Sequence, residues 1–305
     1  MSEYHTPVLL DESVSALITH PSGLYIDATF GGGGHNAEIL SRLNGNGKVL
    51  AFDRDIDAIG NRIDDPRLIL IHNNFRFVHN YVRYGAATWG TAPEADGILA
   101  DLGVSSHQFD TADRGFSFRF DAPLDMRMNT EGGRTAADLV NGLPEEELER
   151  ILRIYGDVDG ARKMARLIVR KRTEGVILTT GVLSGALAPC LPRFAEHKVL
   201  AKVYQALRIE VNQEMKALEK FLEGAARSLR SGGRLVVITY HSLEDRMVKN
   251  FIRTGNVAGE VKQDMFGRTD TPLRAVERKP ILPTEDEIAT NTRARSAKLR
   301  IAEKA

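Results

Sequence analysis

Four consecutive glycines follow one apolar run of the chain, and an acid ends the next apolar run. The first run is Leu24–Thr29, the glycines are residues 31–34, and the second run ends at Asp53, 19 residues after Gly34. A turn without side chains lets a ligand contact the backbone, because glycine tolerates positive φ and leaves room beside the chain. In a doubly wound sheet, an acid about 20 residues after such glycines binds the ribose hydroxyls of a nucleotide-like ligand. The stretch therefore predicts a strand, a tight turn and a helix that bind such a ligand.

Two kinds of ligand fit these residues. The dinucleotide pattern G-x-G-x-x-G/A fits loosely at Gly32, Gly34 and Ala37, and it brings a pyrophosphate to the helix N-terminus. The S-adenosylmethionine pattern, acid-x-G-x-G-x-G, fits loosely from Asp27 to Gly33, with Thr29 in place of one glycine. S-adenosylmethionine carries an ammonium group, so an acid at the strand end has a partner there. The stretch alone leaves both ligands open, together with a purely structural glycine turn.

The composition limits the class of protein. Lys plus Arg and Asp plus Glu number 41 each in 305 residues, so any nucleic-acid binding depends on a local patch of charge. The single cysteine, Cys190, excludes a disulfide framework and a cysteine-based zinc site. No apolar run approaches the ~20 residues that span a bilayer, and the N-terminus has no basic start or apolar core of a signal peptide. These features predict a soluble, cytoplasmic protein without a membrane segment.

Strands alternate with helices over the first third of the chain. Four strands are predicted at Leu24–Thr29, Lys48–Asp53, Leu68–Ile71 and Gly97–Asp101. The predicted helices before and between them include Ser13–Ile18, Asn36–Leu43 and Ala58–Ile63. This alternation favours an α/β fold with a parallel sheet and right-handed crossovers.

The alternation stops between about Phe109 and Val199. Residues 110–133 are rich in Asp, Arg, Gly and Phe and are predicted to form an ordered loop. Helices are predicted from Leu143 onward, at Asp159–Arg172 and at Leu178–Leu187. We therefore expect a mostly helical domain at residues 109–199, inserted into a sheet domain of residues 1–108 and 200–305.

A long helix and a strand are predicted after the insertion. Apolar residues recur every three or four positions over about Lys198–Arg230, which predicts one continuous helix. The glycines of Ser231-Gly-Gly233 are expected to end it. The β-rich run Gly233–Tyr240 then predicts a fifth strand.

The C-terminal part is predicted to be less regular. Ser242 and Asp245 fit a capping box at the start of the next helix, with Asp in place of the usual Glu or Gln. Residues 254–292 are polar and predicted to be irregular, and Ser296–Ile301 is expected to be a final strand.

Seven motifs stand in a fixed order along nearly the whole chain. They are His5-Thr-Pro-Val-Leu-Leu-Asp-Glu12, Thr29-Phe-Gly-Gly-Gly-Gly-His35, Asp101-Leu-Gly-Val-Ser-Ser106, Arg114-Gly-Phe-Ser-Phe118, Pro123-Leu-Asp-Met-Arg127, His241-Ser-Leu-Glu-Asp-Arg246 and Arg293-Ala-Arg-Ser296. Each motif alone is weak, but together they resemble the family of small-subunit ribosomal RNA cytosine-N4 methyltransferases called RsmH or MraW. The resemblance implies a class I methyltransferase fold, with a Rossmann-like, mostly parallel seven-stranded sheet and an inserted helical domain. It also implies S-adenosylmethionine as the donor and, as the acceptor, N4 of a cytidine in the decoding region of 16S ribosomal RNA in the small ribosomal subunit.

The resemblance further implies which residues contact the cofactor. These are Gly33, Gly34, His35, Asp53, Phe75, Asp101 and Gln108. Their positions agree with the strand pattern, since open α/β sheets bind ligands beyond the carboxyl ends of their strands. Many amino-directed methyltransferases carry Asp-Pro-Pro-aromatic after the fourth strand, whereas this chain has Asp101-Leu-Gly-Val104. The mechanism of that group therefore does not transfer atom for atom.

Asp101 is the candidate catalytic residue. Methyl transfer from a sulfonium is an in-line displacement in which the protein supplies positioning and electrostatics. Cytosine N4 is a poor nucleophile because its lone pair is delocalised into the ring, so an acceptor for an N4 hydrogen would assist the attack. Asp101 is the best-placed carboxylate because it ends the fourth predicted strand. The base must leave any stack or pair to reach it, and this chemistry requires no metal.

A basic run lies in the predicted insertion. Six cations and no acid occur between residues 162 and 172, and Arg162, Arg166 and Arg170 repeat along one side of a predicted helix. Such a run is either solvated surface or a face that binds RNA phosphates. The second alternative predicts that the inserted domain, residues 109–199, recognises the substrate.

Aromatic residues and one histidine leave further alternatives. Phe116, Phe118 and Phe120 alternate, which suits a strand that buries one face or a platform that stacks a flipped base. His241 is either a structural residue at a strand end or a substrate contact.

Two other functions remain open from the sequence. A dinucleotide-dependent oxidoreductase could use the same glycine turn, and a non-catalytic RNA-binding factor of ribosome assembly could retain the fold. The sequence also leaves open whether the acceptor is naked RNA or an assembled subunit, and whether the chain forms a homodimer.

Overall fold

The chain forms two compact units in the computed structural model, which describes residues 7–261 and 271–305. One unit comprises the described residues up to Gly103 and those from Met215 onward, and the other comprises Val104–Glu214. His5 and Thr6 of the first sequence motif lie outside the described residues.

The first unit contains a seven-stranded sheet. Its strands are β1 (Leu24–Asp27), β2 (Lys48–Asp53), β3 (Leu68–His72), β4 (Ala95–Asp101), β5 (Leu229–Thr239), β6 (Leu273–Ala275) and β7 (Lys298–Lys304). They lie in the order β3-β2-β1-β4-β5-β7-β6. Strands β1 to β5 are parallel, and β7 is antiparallel to both β5 and β6. The predicted class I methyltransferase fold is confirmed.

The described part of the chain contains thirteen helices. They are α1 (Leu10–Leu17), α2 (Gly34–Arg42), α3 (Ile56–Ile59), α4 (Val78–Thr88), α5 (Ser106–Asp110), α6 (Ala136–Gly142), α7 (Glu145–Gly156), α8 (Ala161–Glu174), α9 (Thr180–Leu187), α10 (Glu196–Asn212), α11 (Glu214–Ser228), α12 (Ser242–Thr254) and α13 (Glu285–Thr290). Short 3-10 turns lie at Phe75–Phe77, Ala112–Arg114, Ala188–Cys190 and Thr292–Ser296. Of the helices in residues 7–261 and 271–305, none is long and apolar enough to cross a bilayer.

Apolar side chains cover both faces of the central strands. All four residues of β1 are buried, as expected for a parallel strand with helices on both sides. One core contains Ile26 and Phe52, and the core on the other face contains Tyr25 and Val49. Since the strand centres are filled in this way, the polar residues at the strand ends are held by rigid elements.

The single long helix predicted over Lys198–Arg230 is wrong. The structure has α10 and α11 instead, separated at Gln213, whose left-handed φ of 50° breaks the helical path. Strand β5 then begins at Leu229, before the glycines that were expected to end the helix. Its register with β4 jumps from Ala95↔Leu229 to Gly97↔Arg234, so these glycines lie in a bulge of the strand.

The limits of the insertion also differ from those predicted. The compact helical unit begins at Val104, not at residue 109, and extends to Glu214, not to residue 199. Helix α10 belongs to it because Val203 and Leu207 share one core with Leu148 and Leu152 of α7. A role in substrate recognition for this unit stays a prediction.

The helix after β5 is capped differently from the prediction. His241 is the N-cap residue of α12 and Glu244 completes the box, whereas Ser242 and Asp245 were expected. Asp245 instead accepts a hydrogen bond from Arg300 of β7 at 2.6 Å. Residues 254–292, predicted to be irregular, contain β6 and α13 among the residues described. Residues 262–270 of this range lie outside the described part.

Candidate functional site

The glycine turn joins β1 to α2 as the sequence predicts. The amide of Phe30 donates to the carbonyl of Phe52 at 2.8 Å, which ties the turn to β2. Gly33 has a φ of 80°, and a Cβ there would lie 3.1 Å from the ring of Phe30. A Cβ on Gly34 would overlap Pro7. Both positions therefore require glycine for local packing, before any ligand is considered.

The backbone at Gly31 is accessible. Gly31 has a φ of 54°, and a Cβ built on it meets no atom within 4 Å. Its amide donates to Oδ2 of Asp53 at 2.8 Å, and the amide of Asp55 donates to Oδ1 of Asp53 at 2.8 Å. Burial raises the pKa of Asp53 above its usual value, although these hydrogen bonds oppose the rise. Asp53 thus holds the turn and caps its own strand end, and its contact with a ribose stays a prediction.

Asp27 lies behind the turn and is almost fully buried. Its Oδ1 accepts from the amide of Thr29 at 2.9 Å, and its Oδ2 accepts from the side-chain amide of Asn36. Burial raises the pKa of Asp27 to about 6, and the nearby His35 opposes the rise. Two buried atoms of α2, Nε2 of His35 and Oδ1 of Asn36, have no hydrogen-bond partner among the described residues.

Asp101 ends β4, the strand next to β1. Its amide donates to the Thr29 hydroxyl at 2.8 Å, which fixes the strand end against the turn. Its Oδ1 accepts from the hydroxyl of Tyr240 at 2.7 Å, and its Oδ2 lies 3.9 Å from Nδ1 of His35. Burial lowers the pKa of His35, so this imidazole favours its neutral form. Burial raises the pKa of Asp101 to about 7, which makes the carboxylate basic enough to accept a hydrogen near neutral pH.

Tyr240 and Glu244 belong to the same cluster, and the sequence interpretation missed both. Tyr240 follows β5, the other neighbour of β4, and its position directly after a strand was the available signal. Oε2 of Glu244 accepts from the Tyr240 amide at 2.9 Å, and Nδ1 of His241 accepts from the Glu244 amide at 3.4 Å. This capping arrangement gives His241 a structural role, and a substrate contact for it stays a prediction.

The seven predicted cofactor residues lie in three settings, which are the glycine turn with its neighbouring strand ends, the segment after β3 and the helical unit. Gly33, Gly34, His35, Asp53 and Asp101 lie at or beside the glycine turn, at the carboxyl ends of β1, β2 and β4.

Phe75 follows β3 and packs edge-to-face on Phe221, with ring centroids 5.2 Å apart, so part of its surface belongs to the core. Gln108 belongs to the helical unit, where it forms a capping box with Ser105. The binding roles of all seven residues stay predictions.

The three alternating phenylalanines do not form a strand, which was one of the two alternatives that their spacing left open. Their segment is irregular, and they have three different environments. Phe116 is buried, Phe118 packs edge-to-face on Tyr204 at 5.2 Å, and Phe120 is 60% exposed. Only Phe120 therefore offers an open ring face for stacking.

The basic run lies on α8, as predicted, but its six cations differ in their surroundings. Arg172 donates to the carbonyls of Val140 and Leu143 and so closes the end of α6. Lys171 forms an ion pair with Glu174, and Arg166 lies 3.5 Å from Glu145. The other three, Arg162, Lys163 and Arg170, are exposed and have no ion pair in the part of the chain that the structure describes.

Known proteins resemble this chain from end to end. The sequence profile of the MraW methylase family matches residues 2–305. A protein of Bacteroides fragilis strain YCH46, named ribosomal RNA small subunit methyltransferase H, is 56% identical over 301 residues, which cover 99% of this chain and 97% of that protein. Proteins of the same name in Parabacteroides distasonis and Flavobacterium johnsoniae are 53% and 50% identical, each across 99% of this chain and at least 97% of their own lengths. Neither alternative function, the oxidoreductase or the non-catalytic assembly factor, gains support from these relatives. The chain belongs to the MraW methylase family.

Proposed function

We propose that this protein transfers a methyl group from S-adenosylmethionine to N4 of a cytidine in the decoding region of small-subunit ribosomal RNA. Membership of the MraW methylase family makes it a methyltransferase that uses S-adenosylmethionine. One observation supports a weakly nucleophilic amino group as the methyl acceptor. Asp101 is a half-buried carboxylate beside the glycine turn, and its pKa is raised to about 7.

The residues at the turn fit S-adenosylmethionine. The open space beside Gly31 allows a ligand to approach the backbone, and Asp53 at the end of β2 would contact the ribose. The partnerless atoms of His35 and Asn36 are suited to a ligand with its own polar groups. Gly33, Gly34 and Phe75 would complete the contacts. When bound, S-adenosylmethionine supplies a methyl group that its positively charged sulfur already activates.

Asp101 would assist the attacking amino group. The amino nitrogen of cytosine becomes tetrahedral and more acidic as a bond forms to it, so a carboxylate that accepts one of its hydrogens lowers the barrier. Above about pH 7 the Asp101 carboxyl is mostly ionised and able to accept. Its position at the end of β4 holds it rigidly, and general base assistance of this kind typically contributes 10²–10⁴-fold.

One experiment tests the proposed reaction directly. Small-subunit ribosomal RNA from cells with and without this protein is digested, and methylated nucleotides are mapped by mass spectrometry. We expect one cytidine to carry a base methyl group only when the protein is present. The purified protein should restore that methyl group on RNA or subunits from the deficient cells. A deficient strain with an unchanged methylation map would contradict the proposal.

Exposed cations of α8 would contact the RNA backbone. Replacing Arg162, Arg166 and Arg170 with Glu should weaken binding of the RNA substrate and leave cofactor binding intact. Phosphate contacts act through the release of counterions, so the loss should shrink as salt is raised. A filter-binding series over several salt concentrations measures both quantities.

A matched control separates a local contact from the change in net charge. Lys216, Lys220 and Arg227 are exposed on α11, and their replacement with Glu changes the charge by the same amount. This second variant should keep the wild-type salt slope. Equal losses of RNA binding in the two variants would show that the basic run is ordinary solvated surface.

Some features stay predictions. The relatives are named for ribosomal RNA of the small subunit, and we extend that partner to this chain. A homodimer, a reaction without a metal and a cytoplasmic location are among them, together with the choice between naked RNA and an assembled subunit as the acceptor.

A further inference from the structure

Tyr240 makes the one hydrogen bond that the described residues provide to the Asp101 carboxylate. The hydroxyl donates to Oδ1 at 2.7 Å. No donor in residues 7–261 and 271–305 bonds to Oδ2, for which the nearest ring nitrogen, Nδ1 of His35, is 3.9 Å away. One carboxylate oxygen is therefore held by the protein, and the other keeps its lone pairs available.

The Tyr240 ring is fixed in its place. The ring packs against the apolar core that contains Tyr25 and Val49. The Tyr240 amide is held by Glu244, as described above. Burial, Asp101 and other nearby acids hold the pKa of Tyr240 well above its usual value, so the phenol keeps its proton and acts as a donor to the carboxylate.

We infer that Tyr240 is a positioning residue for the proposed methyl transfer: it binds Oδ1 of Asp101, keeps this carboxyl ionised and orients Oδ2 toward the amino group of the base. The inference rests on the proposed function for its role in catalysis. The pairing of the two side chains can be tested without that function.

The electrostatics around Asp101 explain why a single hydroxyl matters. The titratable groups that face Asp101 and Tyr240 are Asp27 from β1, His35 from α2, Glu244 from α12 and Glu287 from α13. Three of them are acids and His35 favours its neutral form, so no cation among them stabilises the ionised carboxylate. The Tyr240 hydrogen bond lowers the pKa of Asp101, and burial together with Glu244 raises it. Loss of the hydroxyl should therefore leave Asp101 protonated, and unable to accept, at neutral pH.

The first test is the pH dependence of Tyr240→Phe. The single-turnover rate at saturating S-adenosylmethionine and RNA should rise with pH through the pKa of Asp101. In the variant, we expect this midpoint to move up by about one pH unit, which is the size expected for loss of one hydrogen bond to a charged group. At pH 7 the rate should fall about fivefold and recover at higher pH. An unchanged midpoint, or a loss that is the same at every pH, would overturn the inference.

Two further variants guard against an effect of folding. Tyr25→Phe also removes a buried hydroxyl from the sheet, one that accepts from the amides of Thr19 and His20, and it should leave the midpoint unchanged. Fluorotyrosine at position 240 is a stronger donor and should lower the midpoint. A shift of the Tyr25 variant equal to that of the Tyr240 variant would assign the effect to stability alone.

The second test does not depend on activity. The carboxyl carbon of Asp101 is followed by NMR in a pH titration without RNA, and its signal is assigned by its loss in Asp101→Asn. Its midpoint should rise in Tyr240→Phe. If the wild type fails to methylate ribosomal RNA but this midpoint rises, the proposed function fails and the pairing stands. If the midpoint is unchanged in a variant with a wild-type fold, the pairing does not control Asp101, whatever the acceptor is.

Discussion

Strand β4 carries an aspartate near each end, and the two carboxylates have opposite electrostatic environments. Near the amino end, Asp96 accepts from Nε of Arg230 at 2.6 Å and from the amide of Leu24 at 2.9 Å. Gly23 has no side chain to obstruct this acid, since a Cβ there would lie 2.5 Å from Cγ of Asp96. At the carboxyl end, Asp101 receives one neutral hydroxyl and no cation from Lys or Arg among the described residues.

This difference separates an acid that stabilises the fold from an acid that is available for chemistry. Asp96 joins β1, β4 and the start of β5 through a compensated charge. Asp27, Asp53 and Asp101 end three neighbouring strands, and burial raises the pKa of each of them. A cluster of desolvated carboxylates without cations is costly for stability, and such costs concentrate at functional sites. We therefore expect a polar ligand to bind at the carboxyl edge of the sheet, where it would compensate these carboxylates.

The largest expected effect comes from Asp101→Asn. The amide keeps an oxygen for the Tyr240 hydroxyl but loses the basic acceptor. We expect the single-turnover rate to fall by about 10²–10⁴-fold even at saturating cofactor and RNA, because the missing interaction belongs to the transition state. Rapid-quench measurement of methyl incorporation at saturation gives this rate. If the variant only raises the KM for S-adenosylmethionine and reaches a normal rate, Asp101 is a binding residue and not a base.

The matched change at the other end of β4 should act on stability instead. Asp96→Asn removes the ion pair with Arg230 and leaves the carboxyl edge intact. Measured well below its melting temperature, this variant should retain the wild-type rate. A comparable loss of rate in both variants would mean that the two ends of the strand do not differ in the way proposed.

Asp53→Ala should have an intermediate effect, on binding. Loss of one charge-assisted hydrogen bond is worth about 1.5–3 kcal/mol, or roughly 10- to 150-fold in affinity for S-adenosylmethionine. Asp53→Asn keeps an acceptor oxygen and should lose less. Calorimetry measures the affinity, and the melting temperature without cofactor shows whether the glycine turn survives the loss of its bond to Gly31. Unchanged affinity in a folded variant would remove Asp53 from the site.

The elements that the sequence predicts correctly are those whose limits are marked by neighbouring residues. Strand β2 has the predicted bounds, Lys48–Asp53, because an apolar run is delimited by a glycine and an acid. The break at Gln213 was missed, since neither glycine nor proline marks it and the apolar spacing continues on both sides. Strand β6 has three residues and exists through its pairing with β7, so no periodicity could reveal it.

The site shows the same division between local and long-range information. The turn glycines and Asp101 were found because each directly follows an apolar run. Tyr240 follows such a run too, but its importance depends on β5 lying beside β4, a neighbour relation between segments far apart in the chain. The raised pKa of Asp101 likewise results from burial by several elements, which a sequence pattern does not encode.

The smallest expected effect is on stability, and there the two aspartates should differ in sign. The pKa of Asp101 in the folded protein, about 7, lies above the ordinary value of 3.8. The folded state therefore binds this proton more tightly than the unfolded state, and its contribution to stability is lost as the pH rises through about 7. Asp101→Asn lacks this loss, so at pH 8 it should be more stable than the wild type, and the difference should shrink toward pH 4. Asp96→Asn should be less stable than the wild type at pH 8, because Arg230 loses its partner. Urea unfolding of both variants at pH 5 and pH 8 measures these differences, and a destabilised Asp101→Asn at pH 8 would show that its carboxylate is compensated after all.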